Sequence, residues 1–370
     1  MKINALALQN FKNYENLALE FTEGIQLFLG QNGMGKTNLL DALHYLTFTK
    51  TAFVNTDNQN IRKGALYFLV KGDFENDGQT HEVICYHELR KKKVIKLNGS
   101  PYDRIIEHIG KLPLVLSTPY DSDLIREISE VRRKWVDGCI AQYNQEYLAD
   151  LMVYNRILSQ RNALLKGMEG HLKASNESLL DTYDTQLITL SKSLSHVRAD
   201  FVDKFVPFLS ANEGLIVFEH ETCSMTYQSQ ILAGDFEHTF LESRKKDLLT
   251  LRTNVGSHKD DYSFLMDGQS LKKFGSQGQQ KSFLIALRLS QYDYLAKATQ
   301  TKPMLLLDDI FDKLDDERIG RLTDLLSDSA RFGQVFITDA RKERSSLLMQ
   351  SKHNAKIFEI ENGKVNSYET

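Results

Sequence analysis

The spacing of apolar residues changes along this chain, and each spacing predicts a different kind of element. Ile25 to Leu29 is a short, mostly apolar run, the pattern of a buried strand, and Thr37-Asn38-Leu39-Leu40-Asp41-Ala42-Leu43 opens a helix. From Tyr67 to Lys96 apolar and polar residues alternate, which predicts strands of an antiparallel sheet with one buried face. Beyond it Leu148, Leu151, Tyr154, Leu158 and Leu165, and then Leu187, Leu190, Leu194 and Val197, keep helical spacing. No proline interrupts Ser122 to Phe205, and Gly167-Met168-Glu169-Gly170 has the composition of a turn between two long helices. A small helical lobe is predicted there, too short for a long coiled coil. Towards the end, Met304 to Leu307 is wholly apolar and runs into Asp308 and Asp309, the pattern of a buried parallel strand delivering carboxylates to the C-terminal edge of a sheet.

Between the first strand and the first helix lies Gly30-Gln31-Asn32-Gly33-Met34-Gly35-Lys36-Thr37, followed by Asn38. The glycines let the backbone turn tightly and aim successive N–H groups at phosphate oxygens. Lys36 has the reach for β- and γ-phosphates, and the Thr37 hydroxyl suits Mg²⁺. Strand, loop and helix occur in the order that phosphate binding requires, so the whole stretch is the predicted ATP-binding loop. Asp308 is then the expected partner of Thr37 on the metal, and Asp309 the residue that orients the attacking water. These carboxylates lie near the far end of the chain. The nucleotide site is therefore closed by both ends, and a large insertion must interrupt a compact core.

Upstream of the acidic strand, Phe274-Gly275-Ser276-Gln277-Gly278-Gln279-Gln280-Lys281 precedes an apolar helical segment from Phe283 to Tyr294. A serine and a glycine opening a helix combine backbone N–H groups, a hydroxyl and the positive end of the helix dipole. Ser276 is either an ordinary helix cap or half of a second phosphate grip. One γ-phosphate does not need two such loops from one subunit, so the economical reading is that Ser276, Gln277, Gly278 and Gln279 act on a nucleotide held by another copy of the chain.

These motifs and several others resemble the RecF family, recombination-mediator ATPases related to the heads of SMC-type and ABC-type proteins. The resemblance covers nearly the whole chain. It is carried by Leu8-Gln9-Asn10-Phe11-Lys12-Asn13-Tyr14, by Gly33 to Ala42, by Arg132-Arg133-Lys134-Trp135-Val136-Asp137 and by Tyr154 to Asn162. Gly256-Ser257-His258-Lys259-Asp260-Asp261, Ser276 to Lys281 and Leu307 to Asp315 complete it. It implies an α/β fold of the ABC-type ATPase head, a mixed sheet core with an antiparallel β-subdomain, plus the inserted helical lobe. The expected organisation is residues 1–121 for the first part of the core, 122–245 for the lobe and 246–370 for the rest of the core. The resemblance further implies an ATP-dependent homodimer, slow DNA-stimulated hydrolysis, binding of gapped or junction DNA, and work with RecR and RecO in loading recombinase at single-strand gaps.

Some positions depart from the family pattern. Lys12, Lys259 and Lys281 stand where the family usually has arginine, which keeps the charge but loses the planar fork that grips phosphate or carboxylate. Thr51-Ala52-Phe53-Val54-Asn55 lacks the arginine of the family's element after the first helix. The switch region Val335 to Ala340 has no histidine, leaving Thr338 or Asp339 to sense the γ-phosphate. Thr118-Pro119-Tyr120-Asp121 has no Q-loop glutamine, with Asp121 or Asp123 as the available substitutes.

At 370 residues, 41% hydrophobic and 26% charged, the chain has the composition of a globular protein of two or three domains. Its three cysteines are scattered, which argues for a reducing cytoplasm and against a structural metal or disulfide framework. No apolar run approaches the ~20 residues of a membrane span, so no membrane role is expected. A net charge of −3 does not announce a nucleic-acid binder. Positive charge is clustered instead, at Arg90-Lys91-Lys92-Lys93 near the turn Asn98-Gly99, at Arg132-Arg133-Lys134 and at Arg244-Lys245-Lys246. The first run is the foremost candidate for DNA contact, against the plain alternative of a solvated face. His258 with Asp260 and Asp261 is either a metal or acid-base cluster or a turn before a strand. An ABC transport subunit is the rival class, disfavoured by the missing glutamine and histidine; a nuclease-coupled head would need a nuclease that this chain does not contain.

Overall fold

A computed structural model describes residues 1–54, 56–76, 78–168, 174–216, 222–311, 316–341 and 355–369. The chain divides into two compact units. The first comprises Met1–Asp121, Gly214–Val217 and Leu284–Thr370, and the second Ser122–Glu213 and Phe218–Phe283.

Strands of the first unit are β1 (Lys2–Phe11), β2 (Tyr14–Glu20), β3 (Ile25–Leu29), β4 (Tyr67–Asn76), β5 (Gln79–Glu88), β6 (Val94–Leu97), β7 (Ser100–Pro101) and β8 (Leu114–Ser117). The second unit holds β9 (Cys223–Gln228), β10 (Asp261–Met266) and β11 (Gln269–Ser270). The chain then returns to the first with β12 (Met304–Leu307), β13 (Val335–Asp339), β14 (Ala355–Glu361) and β15 (Lys364–Glu369). In the core sheet, ordered β15-β14-β3-β13-β12-β8, every residue of β3, β12 and β13 is buried, as expected of parallel strands covered on both faces. The other large sheet, β2-β1-β4-β5-β6-β7, is antiparallel, and β4 alternates buried and half-buried residues.

Helix α1 (Lys36–Phe48) buries Leu39, Leu40, Leu43, Tyr45 and Leu46 and touches strands of both sheets, β4 and β5 on one hand and β8 and β13 on the other. A dense aromatic core results, with Phe11, Tyr45 and Phe68 in edge-on contact and Phe21, Phe28, Phe336 and Phe358 in a second group. Gln334, 2% exposed, ties the sheets together through the backbone of Ile3, accepting from its N–H at 2.7 Å and donating to its carbonyl at 2.9 Å.

In the second unit are α2 (Ser122–Arg126), α3 (Ser129–Ile140), α4 (Gln145–Gly167), α5 (Ala174–Ile216), α6 (Phe236–Glu242), α7 (Arg244–Thr250) and α8 (Leu271–Phe274). The lobe is helical as expected, and α5 is its longest element at 43 residues. Part of the expected turn at Gly167 to Gly170 lies outside the described residues, as does Asp312 to Asp315 of the family-like acidic stretch and Asn55. Two buried arginines organise the unit. Arg161 donates to Asp184 at 2.6 Å and Asp247 at 2.8 Å, and Arg198 to Asp137 at 3.0 Å and Asp260 at 3.2 Å.

That network also moves the expected boundary at residue 246. The second unit runs on to Phe283 because β10 pairs with β9 from Asp261↔Gln228 to Met266↔Cys223, while Asp247 and Asp260 are bound to arginines of α4 and α5. Residues 246–283 accordingly pack with the helical lobe rather than with the core sheet. Helix α9 (Gln277–Thr299) begins in this unit and α10 (Asp316–Leu326) lies in the first.

Candidate functional site

Parallel pairing brings the carboxyl ends of β3, β12 and β13 to one edge of the core sheet, with Leu29 opposite Asp339 and Leu307 opposite Ile337. The loop Gly30 to Gly35 leaves that edge and enters α1, and Gly30 N–H donates to the Asp339 carbonyl at 3.3 Å. Two loop glycines are left-handed, Gly33 at φ 83° and Gly35 at φ 113°. They differ in surroundings. A Cβ on Gly33 would meet nothing within 4 Å, whereas one on Gly35 would lie 2.5 Å from Asn13 Nδ2 and 2.8 Å from the Tyr14 hydroxyl. Asn13 donates to the Met34 carbonyl at 3.1 Å and accepts from Asn38 at 2.7 Å, while Tyr14 donates to the Gly35 carbonyl at 3.1 Å. The bend between β1 and β2 thus braces the loop from behind. In the sequence Asn13 and Tyr14 stand only within the motif Leu8 to Tyr14, where nothing local signals this contact with the loop.

Lys36 is buried and folds back over the loop, donating to the carbonyls of Gly30 at 2.7 Å and Gln31 at 3.1 Å. Thr37 Oγ1 donates to both oxygens of Asp308, each at 3.0 Å, across 271 residues of sequence. Thr338, fully buried, donates to Asp308 Oδ1 at 2.7 Å and accepts the Asp309 N–H at 2.9 Å, which holds Asp309 in a left-handed conformation at φ 48°. Burial pushes the Asp308 carboxyl above its usual range and the charge of Asp309 adds to this, while hydrogen bonds from Thr338 and Thr37 pull the other way. Asp339 Oδ2 is buried with no hydrogen-bond partner among the described residues. A hydroxyl and a carboxylate at contact distance, a desolvated acid beside a second acid and an orphaned carboxylate oxygen together suit a hard divalent cation with a phosphate ligand.

Lys12 occupies its family-arginine position usefully: it pairs with the buried Asp41 of α1 and lies 5.4 Å from the Phe53 ring centre. Asp41 also accepts from Thr51 Oγ1 at 2.7 Å and Ala52 N–H at 2.8 Å, so it orders the segment after α1. Asp121 is committed elsewhere. Arg288 grips it at 2.8 and 2.6 Å, and Ser117 donates to it at 2.9 Å, so it serves as an anchor rather than a substitute for a Q-loop glutamine. Asp123 is half-buried on α2.

In the second unit Ser276 caps α9. Its Oγ accepts the Gln279 N–H at 3.2 Å and the Gln279 side chain accepts the Ser276 N–H at 2.7 Å, a reciprocal capping box. The helix-cap reading of Ser276 therefore describes this structure, and its hydroxyl is exposed. Gln277 and Gly278 occupy the first turn.

The candidate metal or acid-base cluster is structural. Tyr154 and the Thr253 carbonyl take both nitrogens of His258, at 2.7 and 3.1 Å, and burial lowers the imidazole to about 4. Asp260 is held by Arg198, Ser195 and Tyr227, and Asp261 by Arg132 at 2.8 and 3.1 Å. Among the described residues no group of acidic, histidine or cysteine side chains forms a metal cluster.

The basic runs are broken up by the fold. Arg90 to Lys93 connects β5 to β6, and Asn98-Gly99 turns between β6 and β7. Lys93 points inward to Asp57 at 3.0 Å and the Thr49 carbonyl, and Lys91 pairs with Glu88 at 2.7 Å, leaving Arg90 and Lys92 exposed. Arg132 is buried against Asp261, and Arg244 pairs with Asp181 and Asp184. A one-residue view of charge in sequence could not tell structural cations from surface ones.

Fold and loop together define an ATPase head of the SMC type. The family model for the RecF/RecN/SMC N-terminal domain matches residues 2–366. A DNA replication and repair protein RecF from Cytophaga hutchinsonii is 43% identical over 99% of this chain and 96% of its own length. Its counterpart from Flavobacterium johnsoniae is 40% identical over 97% of this chain and its entire length. The chain belongs to the RecF family. Two solved structures of the recombination mediator protein RecF, one with ATP, superpose with TM-scores of 0.89 and 0.86 at 29% identity, covering 99% of this chain and 98% and 99% of theirs. An Smc head from Pyrococcus furiosus shares the fold, with a TM-score of 0.57 at 16% identity over 100% of this chain and 96% of that one.

Gly35→Ala is expected to weaken nucleotide binding roughly ten- to a hundredfold, because a β-carbon there carries about 1–3 kcal/mol of left-handed strain and also collides with Asn13 and Tyr14. Gly33→Ala has the strain without the collision and should be milder. Titration with a fluorescent ATP analogue separates them; equal affinities would mean the brace does not shape the loop.

Proposed function

We propose that the chain is an ATP-dependent DNA-binding protein of recombinational repair and replication that dimerises around two ATP molecules, hydrolyses them slowly with DNA as stimulant, and helps load recombinase at single-strand gaps. The contact of Thr37 with Asp308 carries this reading, since it joins the phosphate loop to the acidic strand from opposite ends of the chain. The RecF names of the relatives, and the RecFOR pathway named for two similar structures, support DNA as ligand, RecR and RecO as partners and the cytoplasm as workplace. No helix among the described residues is long and apolar enough to cross a membrane, and the commitment of Asp121 to Arg288 argues against a transport-type Q-loop.

In this reading the N–H groups of Gly33, Met34, Gly35 and Lys36, with those of Thr37 and Asn38 opening α1, surround the phosphates. Lys36 exchanges its two loop carbonyls for β- and γ-phosphate oxygens. Thr37 Oγ1 and Asp308 would hold Mg²⁺, which supplies charge neutralisation at the β- and γ-phosphates. Asp309, fixed through its N–H by Thr338, orients water for in-line attack, and Thr338 relays the state of Asp308 to it. Ser276, Gln277, Gly278 and Gln279 of a second subunit present the N-terminus of α9 to the γ-phosphate and counter its developing charge.

Sedimentation tests the reading directly. With Mg²⁺ and ATP the protein should move as a dimer, with ADP or no nucleotide as a monomer, and gapped DNA should sediment with the ATP form alone. A monomer under all conditions would overturn ATP-driven dimerisation.

A further inference from the structure

Three segments of the second unit converge where His258 Nε2–H donates to the Thr253 carbonyl at 3.1 Å. That bond sets Arg252 beside Lys259. Thr250 Oγ1 links the backbone of Arg252 to that of Lys246, at 3.4 and 2.9 Å, and Arg133 of α3 reaches the carbonyl of Asp260, next to Lys259, at 2.6 Å. Lys246, Arg252 and Lys259 are exposed and Arg133 is half-buried.

The acids of this neighbourhood are spoken for by other arginines. Asp247 binds Arg161, Asp260 and Asp137 bind Arg198, and Asp261 binds Arg132. None of the four cations has a carboxylate of a described residue within ion-pair distance, in contrast to Arg132, Arg161, Arg198 and Arg244 close by. The result is positive charge without a paired carboxylate among the described residues, on a well-braced frame. Partial burial, then Arg252 and Arg133, and more weakly Lys246, hold the Lys259 ammonium below the usual lysine range, only partly offset by Asp247. Like charges kept together in this way are relieved by an anion.

We infer that Lys246, Arg252 and Lys259, backed by Arg133, form a phosphodiester-binding site for duplex DNA on the helical unit. This rests on the DNA-binding reading above and gives that reading an address other than Arg90 to Lys93. Thr250, Asn254 and His258 spend their polar atoms inside the frame and so brace the backbone that carries the cations, and cations drawn from separate segments suit successive phosphates better than a single point charge. The Lys259 position, where the RecF pattern has arginine, would act here by charge.

The test uses the full chain with Mg²⁺ and ATP and a labelled 30-base-pair duplex, with affinity followed across salt concentration. Lys246→Gln, Arg252→Gln and Lys259→Gln combined should lower the log-log salt slope by about 2 to 3 units, since each duplex phosphate contact contributes about 0.9. Its melting temperature and DNA-free ATPase should match the parent, because all three side chains are exposed. Lys259→Arg should keep the slope, whereas Arg90→Gln with Lys92→Gln should leave it untouched. An unchanged slope in the folded triple variant overturns the site while leaving DNA binding standing. A parent that binds no duplex in any nucleotide state overturns the DNA-binding reading itself, and the site with it. If the triple variant binds DNA normally but no longer retains polyglutamate, the cluster serves an acidic protein partner and the proposal fails.

Discussion

Asp309→Asn should lower ATP hydrolysis by roughly 10²–10⁴-fold, the usual loss when a positioned proton acceptor is removed, while ATP binding survives and the protein accumulates as a dimer. The substitution is nearly isosteric. It leaves the Asp309 N–H on Thr338 Oγ1 at 2.9 Å and the Asp308 carboxylate between Thr37 and Thr338, so the residues proposed to grip phosphate and to hold the metal stay in place. It also removes one of two neighbouring negative charges, which eases Asp308 towards ionisation. Lys36→Ala should fail earlier, at nucleotide binding, because the ammonium that rests on the Gly30 and Gln31 carbonyls has no substitute in the loop. Single-turnover hydrolysis with sedimentation on the same samples separates the two. If Asp309→Asn hydrolyses at the parent rate, the water is positioned by another group, with Asp339 Oδ2, which has no hydrogen-bond partner among the described residues, next in line.

What could be read in advance was what local pattern controls. Mostly apolar β3 and wholly apolar β12, the glycine spacing of the loop and the alternation of β4 each impose one solution, and the core sheet and its carboxyl edge follow. Long-range pairing was less legible. Nothing in Gly256 to Asp261 announces that Arg198 and Arg132 will claim its acids and draw residues 246–283 onto the helical unit. Nor does Lys93 in a run of cations differ from Lys92, until the fold places Asp57 and the Thr49 carbonyl beside one and solvent beside the other. Charge is visible in a sequence, but its compensation is not. The same gap hid the brace from Asn13 and Tyr14, whose hydrogen bonds reach a loop that their own segment does not predict.

Mixing two inactive proteins should restore activity if each site is built from two chains. Lys36→Ala destroys the loop and Ser276→Arg the opposing helix start, so every homodimer of either variant has both of its sites damaged. In the mixed dimer one site combines both lesions, and the other combines an intact loop with an intact Ser276. Activity should then reappear to at most about half that of the parent dimer, given subunit exchange and a site that turns over alone. Because Ser276 caps α9 through Gln279, Ser276→Arg also removes a cap whose loss is on the order of 1 kcal/mol. Ser276→Asp separates the two roles, since aspartate caps as well as serine but sets a carboxylate against the γ-phosphate. It should keep the parent's melting temperature and lose ATPase activity, and mixing with Lys36→Ala should rescue it too. Full activity of Ser276→Asp, or of Ser276→Arg as a verified monomer, would return Ser276 to being a helix cap and place the whole site within one chain.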